Sequence, residues 1–307
     1  MSNQELLLEI GRFRQKAAIL LLTGISGLVL GFILFIGTGF LHGRGGGILT
    51  GFLLFAAGSA LLILWSRQKQ KLKAFIGEHV TRSVLSEFME LETFLPNDYI
   101  DEDIIDDLSI LPSHNRTQGS DYISGVYKGN PLQFCDLLLQ QVTSTGKTTT
   151  VVTVFEGQLV AYGLKKQLNG YLEVQKRTAG KAGGFLKRLR NWGTSVGKGR
   201  DFESVEMENE AFNEMFDVRA EDPHNAFLVL TPQFMERLME VNERAETNFC
   251  FTSNTLFMAV ASKENRFEID DAISTEADLE RLKNQLRYDF RATTSLLDIL
   301  RNNEYLF

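Results

Sequence analysis

Charged side chains are missing from two long stretches near the start of this 307-residue chain. Neither Ala17–Leu41 nor Ile48–Trp65 contains one, and only His42–Gly47 separates them. As helices rising about 1.5 Å per residue, both are long enough to cross a hydrocarbon core of roughly 30 Å. Helix is the expected form because lipid offers no partner to open backbone groups. The sequence therefore predicts a transmembrane hairpin at residues 17–66, with spans 17–41 and 48–65, and the lack of ionisable residues inside the spans argues against an ion pathway.

Basic residues are scarce in the loop of this hairpin and frequent on its flanks. Arg44 is the only lysine or arginine between the spans. Three precede the first span and four follow the second: Arg12, Arg14, Lys16, Arg67, Lys69, Lys71 and Lys73. Positive charge near the ends of spans marks the cytoplasmic side. We therefore expect a cytoplasmic N-terminal segment at residues 1–16, a short outer loop and a cytoplasmic C-terminal part.

Cysteine and histidine are also rare, which limits the chemistry that the sequence can indicate. The two cysteines, Cys135 and Cys250, fit a reducing compartment and exclude a disulfide framework. The four histidines have no metal-ligand spacing to one another or to a cysteine: His42, His79, His114 and His224. The sequence therefore predicts no catalytic residue, no cofactor-binding residue and no metal ligand.

Two short motifs imitate enzyme signatures without the surrounding structure that these need. Thr143–Thr148 resembles a phosphate-binding loop, but Gln141 stands where the first glycine belongs and a strand pattern follows, which favours a hairpin turn. Gly193–Gly197 has the spelling of a nucleophile elbow, but no strand precedes it and no helix follows it, which favours a loop. Neither motif predicts an active site.

The residues that follow the hairpin have helical spacing. Apolar side chains recur at helical intervals from Leu72 to Leu91, which predicts a juxtamembrane helical linker over residues 67–112. Within it, the acidic stretch Pro96–Pro112 carries an apolar helical stripe and lacks the central glycine of a calcium loop. A short helix with a solvated acidic face is therefore favoured over a metal loop.

Residues 113–307 are expected to form a cytoplasmic α+β domain. Runs of β-branched and aromatic residues, separated by turn signals at 129–130, 145–147 and 156–157, predict an antiparallel β-meander. Thr231-Pro232 predicts the start of a helix, and the capping box Thr275–Asp278 predicts the start of a long C-terminal helix. By architectural analogy, a small barrel of the pleckstrin-homology type is one arrangement of such a meander and helix.

Basic charge is concentrated between Lys165 and Arg200, where ten lysines and arginines stand against a single acid in a chain of net charge −7. In the basic, glycine-rich loop 178–200, apolar and basic side chains fall on different sides of a predicted helical turn. The candidate membrane-contacting residues are Phe185, Lys187, Arg188, Arg190 and Trp192. Each basic residue near an anionic leaflet contributes about 1 kcal/mol, and aromatic rings insert at the boundary.

We therefore predict that this loop contacts anionic inner-leaflet lipid. Packing of Phe185 and Trp192 on the domain is the structural alternative, and an acidic protein partner is a third. Nucleic acid is disfavoured because the rest of the chain is acidic.

Three runs of the chain resemble the bacterial domain-of-unknown-function 3137 family: Phe155–Gly157, Glu208–Val218 and Ala226–Leu238. The resemblance extends over nearly the whole chain and implies two spans near the N terminus followed by a cytoplasmic domain. It implies a bacterial origin and hence the inner membrane. It brings no established activity, so no functional residue is carried over, and it makes a LemA-type membrane protein a candidate partner.

Together these features predict a membrane-anchored cytoplasmic interaction or adaptor domain rather than an enzyme. A hydrolase acting on a membrane-proximal substrate is the alternative, and a polar pocket with convergent carboxylate, histidine or serine groups would favour it. The glycines of the two spans, among them Gly24, Gly31 and Gly58, allow close helix packing. That packing is expected within the hairpin, and a homo-oligomer is the alternative.

Overall fold

The computed structural model describes residues 2–41, 45–146, 148–177, 201–262, 273–301 and 306, with the backbone alone at 38–41 and 45–48. The chain forms two compact units. The first comprises Met1–Ser83 and Ile269–Gln285, and the second comprises Val84–Glu268 and Leu286–Phe307.

Long helices dominate the first unit. Helix α1 extends over Asn3–Leu41 and helix α2 over Gly45–Ile76. A wider π-helical turn, Gly77–Thr81, leads from α2 into the short helix α3, Arg82–Leu85. In this turn the hydrogen bond runs from the backbone N–H of Arg82 to the carbonyl of Gly77.

Two helical stretches, Asn3–Gly37 and Leu49–Leu85, are long and apolar enough to cross a membrane. The predicted pair of apolar N-terminal helices is therefore confirmed. The second helix also continues well beyond Trp65, as the spacing of its apolar residues predicted.

An antiparallel sheet organises the second unit. Its strands are β1 Glu90–Leu95, β2 Arg116–Tyr127, β3 Asn130–Ser144, β4 Thr149–Gly163, β5 Leu172–Lys176, β6 Glu203–Val205, β7 Phe216–Ala220, β8 Thr247–Phe251 and β9 Thr255–Ala261. In the described part of the chain these nine strands form one sheet in the order β1-β2-β3-β4-β9-β8-β5-β7-β6. The predicted meander is seen in β2, β3 and β4, which are neighbours in sequence and in space.

Helices flank this sheet. They are α4 Glu102–Asp107, α5 Glu210–Met215, α6 Pro223–Val229, α7 Pro232–Arg244 and α8 Glu276–Leu300. The predicted α+β class is thereby confirmed, including the antiparallel sheet and the long C-terminal helix.

The two faces of the sheet have separate cores. On one face, called the α8 face, Phe134 of β3 meets Phe290 of α8 at 6.2 Å, and Phe251 of β8 meets Phe234 of α7 at 6.0 Å, between ring centroids. On the opposite face, called the α4 face, Ile105 of α4 joins a buried apolar cluster on the strands. Successive strand residues point to opposite faces, so the neighbours Phe134 and Cys135 belong to different cores.

The helical linker predicted for residues 67–112 is wrong in its last part. Helix α3 ends at Leu85, and Glu90–Leu95 forms strand β1, which pairs with β2. The alternating sequence of this strand buries Phe94 and leaves Leu95 exposed, a pattern of period two. Pairing with a long neighbouring strand therefore outweighs the local helical spacing.

The turn predicted at Glu156-Gly157 is also wrong, because β4 continues through both residues. A Cβ at position 157 would lie 2.0 Å from the carbonyl oxygen of Val260 on β9. Gly157 therefore allows two strands to approach closely. Glycine inside a strand often marks such a close approach of another backbone rather than a turn.

The small barrel of the pleckstrin-homology type is not the arrangement of the described strands. The sheet order is open, with β1 at one edge and β6 at the other. A barrel requires the first and last strands of the order to pair, and the described residues show no such pair.

The predicted helix starts are confirmed in atomic detail. Thr231 accepts a hydrogen bond from the backbone N–H of Phe234 at 3.3 Å, with Pro232 as the first residue of α7. At the start of α8, the hydroxyl of Thr275 accepts from the backbone N–H of Asp278, and the Asp278 carboxylate accepts from the backbone N–H of Thr275 at 3.0 Å. These are the reciprocal bonds of a capping box.

Candidate functional site

Five glycines of α1 and α2 lie in the contact between the two helices: Gly24, Gly27, Gly31, Gly51 and Gly58. A Cβ at Gly31 would lie 2.6 Å from the backbone nitrogen of Phe55, and one at Gly51 would lie 2.7 Å from that of Phe35. A Cβ at Gly58 would lie 2.7 Å from the backbone nitrogen of Leu28. The two backbones thus touch along the hairpin, which supports the predicted packing of the hairpin on itself.

The outer sides of the same helices expose large apolar side chains. Phe32 and Leu53 are each 57% exposed, and Leu22 is 69% exposed. A soluble protein rarely shows apolar patches of this extent to water. Near the polar end of α2, the ammonium group of Lys69 lies 5.5 Å from the ring centroid of Trp65, an arrangement typical of helix ends at a membrane interface.

Polar contacts tie the N-terminal part of α1 to the start of α8 within the first unit. The guanidinium of Arg14 donates to the carbonyl of Ile273 at 3.0 Å and to the hydroxyl of Ser274. Near the N terminus, Lys283 donates to the side chain of Asn3 at 3.3 Å. Arg14, one of the residues from which orientation is predicted, therefore also has a structural role.

The candidate membrane-contacting residues Phe185, Lys187, Arg188, Arg190 and Trp192 lie outside the described residues. The strands that flank their segment are described. Lys176 at the end of β5 pairs with Phe216, and Glu203 at the start of β6 pairs with Ala220. Because Phe216 and Ala220 are the two ends of β7, Lys176 and Glu203 pair at opposite ends of that strand, about 13 Å apart along it at 3.3 Å per residue.

A polar cleft of about 260 Å³ opens on the second unit where β2, β3 and β4 run side by side. Its polar lining comes from Gln118, Ser120, Asp136 and Glu156. The buried Asp136 accepts a hydrogen bond from the amide of Gln158 at 2.9 Å. Gln158 in turn accepts from the hydroxyl of Thr293 on α8 at 2.7 Å. The carboxylate in the cleft is therefore positioned by a chain of hydrogen bonds that links the sheet to α8.

A larger hollow of about 470 Å³ lies between α4 and the β8–β9 turn. Three carboxylates line it from α4, Asp103, Asp106 and Asp107, beside the aromatic rings of Tyr171 and Phe257. The predicted short helix with a solvated acidic face is present here, capped by the side chain of Asp101. In the described part of the chain, no group of three histidine, cysteine or acidic residues could hold a metal ion.

The rings of two described histidines, His79 and His114, contact acceptor oxygens. A ring nitrogen of His79 contacts the carbonyl of Phe75 at 3.0 Å. His114 contacts the carbonyl of Pro112 at 2.9 Å and the carboxylate of Asp106 at 3.2 Å. Among the described residues, no histidine ring hydrogen-bonds a hydroxyl or a thiol, so this part of the chain offers no nucleophile paired with a histidine base.

The two cysteines are buried and have structural roles. Burial raises the pKa of the Cys135 thiol to about 12, because the α4 face around it disfavours the thiolate. Cys250 is also buried in the same cluster. Because both thiols are buried, neither is exposed in the way that a catalytic cysteine must be.

The Asp136–Gln158–Thr293 network was not predicted from the sequence. Gln158 and Thr293 are 135 residues apart, Asp136 precedes both, and each follows an ordinary strand or helix pattern. The alternation of β3 and β4 places Asp136 and Gln158 on one face and in register, but their partner on α8 has no local signal.

The family model described as "Protein of unknown function (DUF3137)" matches residues 153–302. These residues belong to the DUF3137 family. The resemblance predicted from the sequence is confirmed over that range. We had expected it to extend over nearly the whole chain, and the match is shorter than that. The DUF3137 region begins in β4 and includes Gln158 and Thr293, whereas Asp136 and the two apolar helices precede it.

A solved structure, the crystal structure of the mycobacterial trehalose monomycolate transport factor A, TtfA, is similar over 71% of this chain and 95% of its own chain. The sequence identity is 10% and the TM-score 0.33. A TM-score this low does not establish a shared fold. No curated protein matches the chain at a significant level.

Proposed function

We propose that the protein is a membrane-anchored interaction domain, an adaptor or regulator on the cytoplasmic side of the bacterial inner membrane. One observation carries the proposal. The α1–α2 hairpin turns five of its glycines toward the helix contact and many large apolar side chains outward. Lipid is the solvent that suits this surface, because exposing apolar side chains to lipid carries no hydrophobic penalty. Helix association in lipid then depends on close packing of the backbones, which the glycines allow.

The orientation rests on charge. Seven basic residues flank the two charge-free spans 17–41 and 48–65, and Arg44 is the only one between the spans. The second unit then lies in the cytoplasm. A cysteine introduced at Gly45 is expected to react with an impermeant thiol reagent on intact cells. Reaction of cysteines introduced into the second unit, with none at position 45, would reverse the orientation.

The contact with anionic lipid belongs to the basic loop 178–200. The loop is positively charged, whereas the chain as a whole has a net charge of −7. The hairpin keeps the loop at high effective concentration near the leaflet. Phe185 and Trp192 insert at the boundary while Lys187, Arg188 and Arg190 bind the headgroups. An acidic protein partner and a LemA-type membrane protein are the alternatives for this loop.

Fluorescence of Trp192 in the full chain tests the lipid contact. Trp65 is the only other tryptophan, so Trp65→Phe leaves position 192 as the single reporter. In vesicles with brominated anionic lipid we expect quenching that weakens in high salt and is lost in K187E/R188E/R190E.

The matched control reverses three other exposed basic residues, Arg116, Arg244 and Arg281, and is expected to keep the quenching. Equal quenching in neutral vesicles, or quenching that survives the loop reversal, would show that the loop does not bind anionic lipid.

A further inference from the structure

Strands β3 and β4 extend past the rest of the sheet as a two-stranded ribbon. The pairing of β2 with β3 stops at Gln140, and the pairing of β9 with β4 starts only at Gly157. Beyond these points Gln141–Ser144 pairs with Thr149–Val152 alone. A turn containing Gly146, at a φ of 80°, closes the ribbon.

The β3 edge of the ribbon is closed by a side chain. The amide of Asn115 donates to the carbonyl of Val142 at 2.8 Å, and its oxygen accepts from the Val142 backbone N–H at 2.7 Å. These are the two hydrogen bonds that a neighbouring strand would form. The side chain of Asn115 therefore blocks strand addition on this edge at Val142.

The β4 edge has no such cover among the described residues. Val142 and Val151 face each other in the ladder. Because the backbone groups of Val142 point away from β4, those of Val151 point away from β3, as in every non-hydrogen-bonded antiparallel pair. By the same alternation the N–H and C=O groups of Thr149 and Thr153 also point outward. No described residue binds these outward groups of Val151.

The side chains along this edge do not discourage pairing. Thr148–Phe155 contains no charged residue and no proline. Val151 is 46% exposed and Val152 is 40% exposed, and as consecutive strand residues they lie on opposite faces of the ribbon. Edge strands are usually protected by charge, proline or a bulge. Here the one irregularity of the described ladder, a register shift at Leu139/Gln140, lies at the base of the ribbon.

We propose that the outer edge of β4, Thr149–Thr153, is an interface between two copies of this chain. The two copies pair antiparallel about a two-fold axis, so that each strand adds to the sheet of the other. A two-fold interface must be self-complementary, and the uncharged run Thr149-Thr150-Val151-Val152-Thr153 meets that condition without repulsion. The pairing does not depend on the proposed membrane anchoring, although a shared membrane would raise the local concentration.

Single cysteines placed in turn at positions 149, 150, 151, 152 and 153 of the full chain test the pairing, in membrane vesicles and in detergent. Residues that face each other across two antiparallel strands have Cβ atoms about 5 Å apart. We expect disulfide-linked dimers to peak at the residue on the two-fold axis and to fall on either side. Thr143→Cys, on the other strand of the same ribbon, is the control that should not cross-link.

Two substitutions of Val151 test whether the backbone edge is responsible. Val151→Pro removes the outward N–H without touching the pairing with β3, and Val151→Lys adds like charges at the interface. Both should convert the dimer to a monomer by light scattering in detergent, with unchanged circular dichroism. A dimer that survives both substitutions, or cysteines at 149–153 that cross-link no better than Thr143→Cys, would overturn the proposal.

Discussion

The two units of this protein pack by opposite means. Between α1 and α2 the contact exists because side chains are absent, and a single added Cβ at Gly31 would come within 2.6 Å of the neighbouring backbone. In the second unit the contact exists because side chains are large. The fully buried Phe290 is stacked on Phe88 at 5.2 Å and lies edge-on to Tyr127 at 5.8 Å.

The difference follows from the solvent that each surface fits. In water, burial of aromatic rings is driven by about 25 cal/mol per Å² of apolar area. Between helices in lipid that driving force is missing, and close van der Waals contact of backbones takes its place. Glycine is required in the contact between α1 and α2, whereas in place of a buried ring such as Phe290 it would leave a cavity.

The largest effect is expected from Phe290→Ala in the second unit. Loss of a fully buried phenylalanine costs about 3–5 kcal/mol of the free energy of unfolding. Tyr288→Ala, two residues earlier and 66% exposed, is the matched control and should change stability by less than about 0.5 kcal/mol. Urea unfolding of the full chain in detergent, followed by aromatic circular dichroism, measures both. Equal losses would show that the aromatic cluster does not dominate this core.

Gly31→Ala tests the opposite rule in the first unit. The added methyl group must push α1 from α2, and overpacking costs about 1–3 kcal/mol. Gly37→Ala is the control, because nothing lies within 4 Å of a Cβ at that position. The fraction of sodium dodecyl sulfate that unfolds the helices in mixed micelles should fall for Gly31→Ala alone. If both variants behave alike, the glycine contact does not hold the hairpin together.

Thr293→Val tests the polar link between α8 and the sheet. The change leaves the Gln158 carbonyl oxygen buried without its donor, which costs about 1–3 kcal/mol. The neighbouring Thr294→Val removes only an intrahelical bond to the carbonyl of Phe290 and serves as the control. A smaller loss of unfolding free energy for Thr293→Val than for Thr294→Val would contradict the assigned role of Gln158.

The smallest effect is the pH dependence of the α8 capping box. The hydrogen bond from the Thr275 hydroxyl, with the backbone N–H groups of Ser274 and Thr275, lowers the pKa of Asp278. The folded pKa lies below the unfolded value of about 3.9, so the stabilisation is present above that pH and lost as pH falls through the folded pKa. The difference in unfolding free energy between wild type and Asp278→Asn should shrink on acidification from pH 6 to pH 2. A constant difference would exclude a contribution from the carboxylate charge.

Local chemistry made much of the fold predictable. The apolar helices, the cap at Thr231, the box at Thr275 and the hairpin at Gly146 each depend on a few neighbouring residues. The errors arose where contacts with distant segments of the chain determine the local secondary structure. Pairing with β2 turns Glu90–Leu95 into a strand, and the approach of Val260 explains Gly157.

The candidate sites divide in the same way. The lipid contact of the basic loop 178–200 stays a prediction, and the sequence could indicate it because charge is counted locally along the chain. The difference between the β3 edge, closed by Asn115, and the β4 edge, which no described residue covers, was not predicted, because Asn115 lies 27 residues from Val142 in sequence. Likewise, the position of β7 between β5 and β6 has no signature within any one segment.

Burial of Cys135 and Cys250 has a practical consequence for labelling studies. With both native sulfhydryl groups enclosed, and that of Cys135 protonated until strongly alkaline pH, maleimide or spin-label reagents should leave the native polypeptide unmarked at pH 7. A cysteine introduced for labelling would then be the only reactive site, and the two native cysteines would not have to be replaced first.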